Sequence, residues 1–75
     1  MKAVSLINVE IGKSDSVMKE LQGIEGLREA YVVYGVYDII AIFEAESMEE
    51  IKKIVAWKVR RLTNVVATLT CLVVE

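Results

Sequence analysis

The segment Gly35-Val36-Tyr37-Asp38 brings a carboxylate, an aromatic ring and a glycine together within four consecutive residues. A carboxylate can pair with an ammonium group, and the backbone amides around a glycine can hold a carboxylate. The segment therefore has both halves of a grip on a free α-amino acid. The same residues also suit a plain turn, in which Gly35 reverses the chain, Asp38 caps it and Tyr37 packs. Composition and spacing leave both readings open.

Other chemistry is poorly provided for. The chain has no histidine and one cysteine, Cys71. The usual metal-ligand sets cannot be assembled within one subunit, and a thiol nucleophile would have no basic partner close in sequence. Cys71 is expected to be a buried structural residue. Glu44 with Glu46, and Glu49 with Glu50, are paired carboxylates that read as solvated surface and as partners of a helix start rather than as an acid–base pair. No catalytic residue, metal or cofactor is expected. Five of the nine basic residues (Lys52, Lys53, Lys58, Arg60 and Arg61) fall in one short stretch, although the net charge is −2. A basic helix can contact phosphates, but with this overall balance a solvated face is expected. Tyr31, Tyr34, Tyr37 and Phe43 raise the stacking of RNA bases. The aromatic glycine-rich strand motif of that module is missing, and these rings read as core and interface.

The elements that must position these residues follow from the pattern along the chain. Lys2 to Ile11 is rich in Val, Ile and Leu and is closed by Gly12-Lys13-Ser14-Asp15, which reads as a first strand followed by capping residues. Val17, Met18 and Leu21 then recur at helical spacing, with Ser14 or Asp15 as the cap and Gly23 as the left-handed stop after a helix ending near Gln22. Leu27 to Gly35 and Tyr37 to Ala45 are strand-favouring runs that form a hairpin with Gly35 and Val36 at its reversal. Ser47-Met48-Glu49-Glu50 has the spacing of a capping box, so a second helix begins there. Met48, Ile51, Ile54, Val55, Val59 and Leu62 share one arc of it. Lys58 falls inside that apolar arc. Either its stem lies along the core with the ammonium reaching out, or the last turn departs from regular geometry. Asn64 to Glu75 reads as the fourth strand.

Strand, helix, hairpin, helix, strand is the ferredoxin-like βαββαβ pattern of an α+β domain. Right-handed crossovers give a four-stranded antiparallel sheet in the order 4-1-3-2 with both helices on one face. The other face should then be wet, and the sequence contradicts this. Val65, Leu69, Cys71 and Val73 point one way while Val66, Leu72 and Val74 point the other, and Ile39, Ala41 and Phe43 stand against Ile40 and Ile42. A half-exposed sheet alternates more cleanly.

Seventy-five residues make one domain, and 55% of them are hydrophobic, an excess that a chain this short cannot bury alone. The apolar runs are far shorter than the ~20 residues of a spanning helix. The N-terminus lacks the core and cleavage site of a signal peptide. A lone thiol suits a reducing cytoplasm. Burial of the open sheet face against another subunit is the expected outlet, so the chain is expected to be part of a homo-oligomer.

The hairpin Tyr31-Val32-Val33-Tyr34-Gly35-Val36-Tyr37-Asp38 resembles the Y-x-V-x-G-x-Y-D hairpin of the effector-binding (RAM) domain of the Lrp/AsnC transcriptional regulators. The likeness extends to the strand running into Gly12, the Gly23-Ile24-Glu25-Gly26 stretch, the Ser47-Met48-Glu49-Glu50 helix start and the Val/Thr-rich last strand. It is to a stand-alone form, because the chain starts at the first strand, without the family's helix-turn-helix, and direct DNA binding is not expected. The resemblance implies sheet-to-sheet dimers that assemble further, and a free amino acid bound where dimers meet. Carried over by position, Gly35, Tyr37 and Asp38 are the matched members of the effector-site hairpin, and Val36, also in the candidate site, departs from the polar or acidic residue often found there. Thr68 and Thr70, the polar breaks in the last strand, are weaker candidates for hydroxyls supplied by a neighbouring subunit. The resemblance implies a non-enzymatic effector-binding module that contributes to regulation, in part by joining full-length relatives. An ACT-like or purely structural oligomeriser, or a small dimeric ferredoxin-like enzyme, are the alternatives.

Overall fold

The computed structural model describes residues 1–74. The elements run β1 (Lys2–Val9), α1 (Ser14–Leu21), β2 (Leu27–Val32), β3 (Ile39–Glu44), α2 (Met48–Lys53) with a π-helical extension over Ile54–Lys58, and β4 (Val65–Val73). The four strands form one antiparallel sheet in the order β2-β3-β1-β4, which is the expected 4-1-3-2 arrangement read from the other edge. The expected end of the last strand, Glu75, lies outside the described residues. Among those described, no helix is long and apolar enough to cross a membrane.

Strict alternation along β1 and β3 builds the core. Ala3, Ser5 and Ile7, with Ile39, Ala41 and Phe43, are fully buried beneath Val17 and Leu21 of α1 and Ile51, Ile54 and Val59 of the second helix. The residues between them form the opposite face. Val4 lies between Ile42 and Cys71, and Leu6 between Ile40 and Leu69, with Tyr31 beside Ile40. No helix covers this surface, and Leu69 keeps 50% of its area exposed. The apolar open face foreseen from strand patterning is therefore present in the fold.

The expected burial of Cys71 is overturned. It stands opposite Val4 on the uncovered face and is an exposed free thiol in the single chain. Strand parity decides this, because its β1 partner faces away from the helices.

The misfit of Lys58 is resolved by the helix itself. The Val59 amide donates to the Ile54 carbonyl at 2.9 Å, spanning five residues instead of four. That extra residue turns Val59 inward and leaves Lys58 exposed. At the start of the same helix, the Glu50 amide donates to the Ser47 hydroxyl at 3.2 Å, the first half of the capping box. Two other expectations fail. Neither Ser14 nor Asp15 caps α1 through its side chain, since Lys13 occupies the cap position. The left-handed conformation falls on Gly26, at φ 100°, rather than on Gly23. A Cβ on Gly26 would lie 2.8 Å from Ile54 Cδ1 and 3.1 Å from the Glu44 carbonyl oxygen, so the loop entering β2 can only pass there without a side chain.

Candidate functional site

The β2–β3 connection is wider than the sequence suggests. Strand pairing stops at Val32 and Ile39, and the Val33 amide donates to the Asp38 carbonyl at 2.9 Å, closing a loop of Tyr34, Gly35, Val36 and Tyr37. Gly35 adopts φ 154° with nothing near its open side. Tyr34 and Val36 project fully into solvent, whereas Tyr37 and Asp38 are half-buried.

Asp38 is held by both its backbone and its side chain. Its amide donates to the Ile7 carbonyl at 3.0 Å, and its Oδ2 accepts the Val9 amide at 2.9 Å. Pairing between β1 and β3 ends at Ile7 and Ile39, so the Val9 amide, two residues farther along the same edge of β1, has no partner in that ladder. The carboxylate fills that gap. One bond farther on, the Glu10 amide donates to the carbonyl of Asn64, the residue just before β4, which adopts φ 71°. The turn, the end of β1 and the start of β4 are thereby tied at one end of the sheet. Val9 had no signal in the sequence, because its role depends on where the pairing of β1 with β3, strands far apart in the chain, comes to an end.

Thr68 and Thr70 fall on β4, with β1 between them and the turn. Thr68 pairs with Ile7 and Thr70 with Ser5. The Thr70 hydroxyl lies 3.0 Å from that of buried Ser5. Both threonines share the helix side of the sheet with Ser5 and Ile7. Within one chain, Gly35, Val36, Tyr37 and Asp38 thus gather at the sheet's end with Thr68 across β1, while Thr70 sits two residue pairs deeper. These residues do not enclose a hollow together. A hollow of about 580 Å³ lies at the other end of the sheet and is lined by Glu25, Gly26, Glu44, Glu46, Glu50 and Lys53 among others.

Charge around the turn is sparse. Asp38 is the sole ionisable carboxylate between Glu29 and Glu44. On the open face, the negative charge of Glu29, with partial desolvation and a hydrogen bond from the phenol to Glu29, raises Tyr31 above its ordinary value. The arrangement can therefore offer an incoming molecule one carboxylate oxygen, the amides of a glycine loop and exposed aromatic and aliphatic surface.

No curated protein matches the sequence. Solved structures do. The crystal structure of FFRP-DM1 has 30% identity and a TM-score of 0.91 over 97% of each chain. The hypothetical protein PHS023 from Pyrococcus horikoshii has 31% identity and a TM-score of 0.88, covering 99% of this chain and 90% of that one. The transcriptional regulator NMB0573 from Neisseria meningitidis, solved as an L-Met complex, has a TM-score of 0.85 and covers 99% of this chain. This chain spans 49% of that regulator, and at 10% identity the likeness is one of fold. The model of the Lrp/AsnC ligand binding domain matches residues 2–75, nearly every position from β1 to the end of the chain, and the protein belongs to that family.

Proposed function

We propose that this protein is a non-enzymatic module that binds a free amino acid at the Gly35–Asp38 turn and assembles with other copies, or with full-length regulators of the same family, to adjust transcription. The observation that carries the reading is the carboxylate of Asp38. Val9 engages its Oδ2, so the group is held in a fixed orientation with Oδ1 left for an ammonium group. Exposed loop amides at Gly35 supply the complementary half, for the carboxylate of the effector. The L-Met complex of the Neisseria regulator, a protein of the same fold, lends support to an amino acid as ligand.

A shallow turn cannot exclude water by itself, so in this reading a neighbouring subunit closes the site. The uncovered apolar face of the sheet supplies the first contact between subunits, where Val4, Leu6, Ile40, Ile42 and Leu69 form a continuous patch. Thr68 is the β4 hydroxyl best placed to meet such a ligand, while Thr70 is engaged with Ser5.

Calorimetric titration of the purified protein with each common amino acid, paired with light scattering, tests this. Saturable binding of at least one amino acid, lost in Asp38→Asn, is expected. A monomer that binds none of them ends the proposal. Assembly without any binding would favour the purely structural oligomeriser.

A further inference from the structure

The outer surface of the second helix carries a second self-complementary contact. Glu50, Lys53, Trp57 and Arg61 follow one another at spacings of three, four and four residues, which places them in one stripe along the helix and the turn that follows it. All four are exposed, and Trp57, the sole tryptophan, keeps 58% of its area in solvent. Trp57 lies within the π-helical turn, whereas Val59, just after it, takes the inward place. Arg61 donates its backbone amide to the Trp57 carbonyl at 3.2 Å and holds its guanidinium 5.0 Å from the indole centroid. Tryptophan and arginine are both enriched among the residues that carry most of the binding energy at protein interfaces.

Charge along this helix is segregated. Acidic residues occupy its start, at Glu46, Glu49 and Glu50, whereas Lys52 to Asn64 contains five basic residues and no acid. Two such helices laid antiparallel match each other residue by residue. Glu50 meets Arg61 of the other copy, and Lys53 meets its Trp57, so each carboxylate faces a guanidinium and each ammonium faces an indole ring. The 580 Å³ hollow beside Glu50, walled also by Glu25, Glu44 and Glu46, gives the incoming Arg61 further carboxylates and offsets the charges of Lys53 and Lys58, which line it.

We propose that two copies of this chain pair antiparallel through the stripe Glu50–Lys53–Trp57–Arg61, an isologous contact on the helix layer, opposite the apolar sheet face. It does not depend on effector binding.

Trp57 reports on its own burial. Fluorescence emission and light scattering are followed together while the full chain is diluted and while salt is raised. Wild-type emission is expected to be blue-shifted in the assembled state and to move red on dilution or at high salt. Arg61→Glu and Glu50→Arg alone should each weaken this association about tenfold or more, because like charges then face each other twice across the two-fold axis. An equimolar mixture of the two variants should recover both the blue shift and the mass, since every facing pair is again opposite in sign. Circular dichroism confirms that both variants are folded. Emission and mass that are equal in wild type and variants, or a mixture that assembles no better than its components, overturn the proposal. So does shielding of Trp57 that appears only when a polyanion such as heparin is added, which would give the stripe to a different anionic partner.

Discussion

The Asp38 carboxylate accepts the Val9 amide at 2.9 Å, across twenty-nine residues of sequence, at the point where β1 shifts register against β4. One side chain thus links the candidate ligand turn to the strand that carries the rest of the sheet. Asp38→Ala leaves the half-buried Val9 amide without an acceptor and should cost roughly 1–3 kcal/mol. Asp38→Asn keeps an oxygen for Val9 but removes the charge. It should retain most of the stability in urea unfolding while losing the effector, and that separation distinguishes a ligand carboxylate from a purely structural one.

The Ser5–Thr70 pair tests the inner candidate. Ser5 is fully buried and has the Thr70 hydroxyl as its partner. Thr70→Val should therefore destabilise by about 1–2 kcal/mol, and adding Ser5→Ala should recover part of the loss, because a matched apolar pair leaves no polar group unpaired. Thermal unfolding of the two single variants and the double variant measures the coupling. Unchanged amino-acid affinity in Thr70→Val would remove this residue from the site.

Gly26 fixes the approach of the α1–β2 loop to the second helix. Gly26→Ala forces a side chain into φ 100° and against Ile54 Cδ1, so a loss of about 2 kcal/mol is expected in chemical denaturation. Ile54→Val removes the clashing methyl. The double variant should lose less than the sum of the two single changes, but the strain and the contact with the Glu44 carbonyl remain.

Leu69 lies at the middle of the uncovered sheet face, opposite Leu6. Leu69→Lys places a charge in the proposed subunit contact while remaining solvated in a single chain. A fall in mass by light scattering, with the circular dichroism spectrum retained, is the expected result. Retention of the full mass would show that this face is not the contact.

Tyr31 ionises above its ordinary value chiefly because Glu29 is negative. Glu29→Gln should bring its titration down, as read from phenolate absorbance in a background where Tyr34 and Tyr37 are phenylalanine. A raised folded value means that any contribution to stability is complete below the ordinary phenol range and is lost as pH rises through the folded value.

Much of the candidate site was legible because its residues are contiguous. The Tyr31–Asp38 run names its own family and announces a turn. The width of that turn was not legible. A two-residue reversal at Gly35 and Val36 satisfies local propensity, and the wider loop arises because Asp38 joins β1, which no short-range pattern encodes. Thr70 looked equivalent to Thr68, yet burial of Ser5 opposite one of them gives the two hydroxyls different surroundings.

The order of elements, the sheet topology and the surplus of apolar surface were set by the sequence itself. Periodicity, the Ser47 cap and the handedness of crossovers are properties of short segments and of any L-polypeptide. Even the conflict at Lys58 was visible, as a charge lying on an apolar arc. The tertiary structure alone decided how that conflict ended, through a π-helical turn that keeps Val59 in the core and leaves Lys58 exposed. It alone decided that Cys71 is exposed, that Gly26 and not Gly23 takes the left-handed turn, and that Asp38 finds the amide of Val9. Each of these depends on which distant segment arrives alongside, and so on the packing of the whole chain.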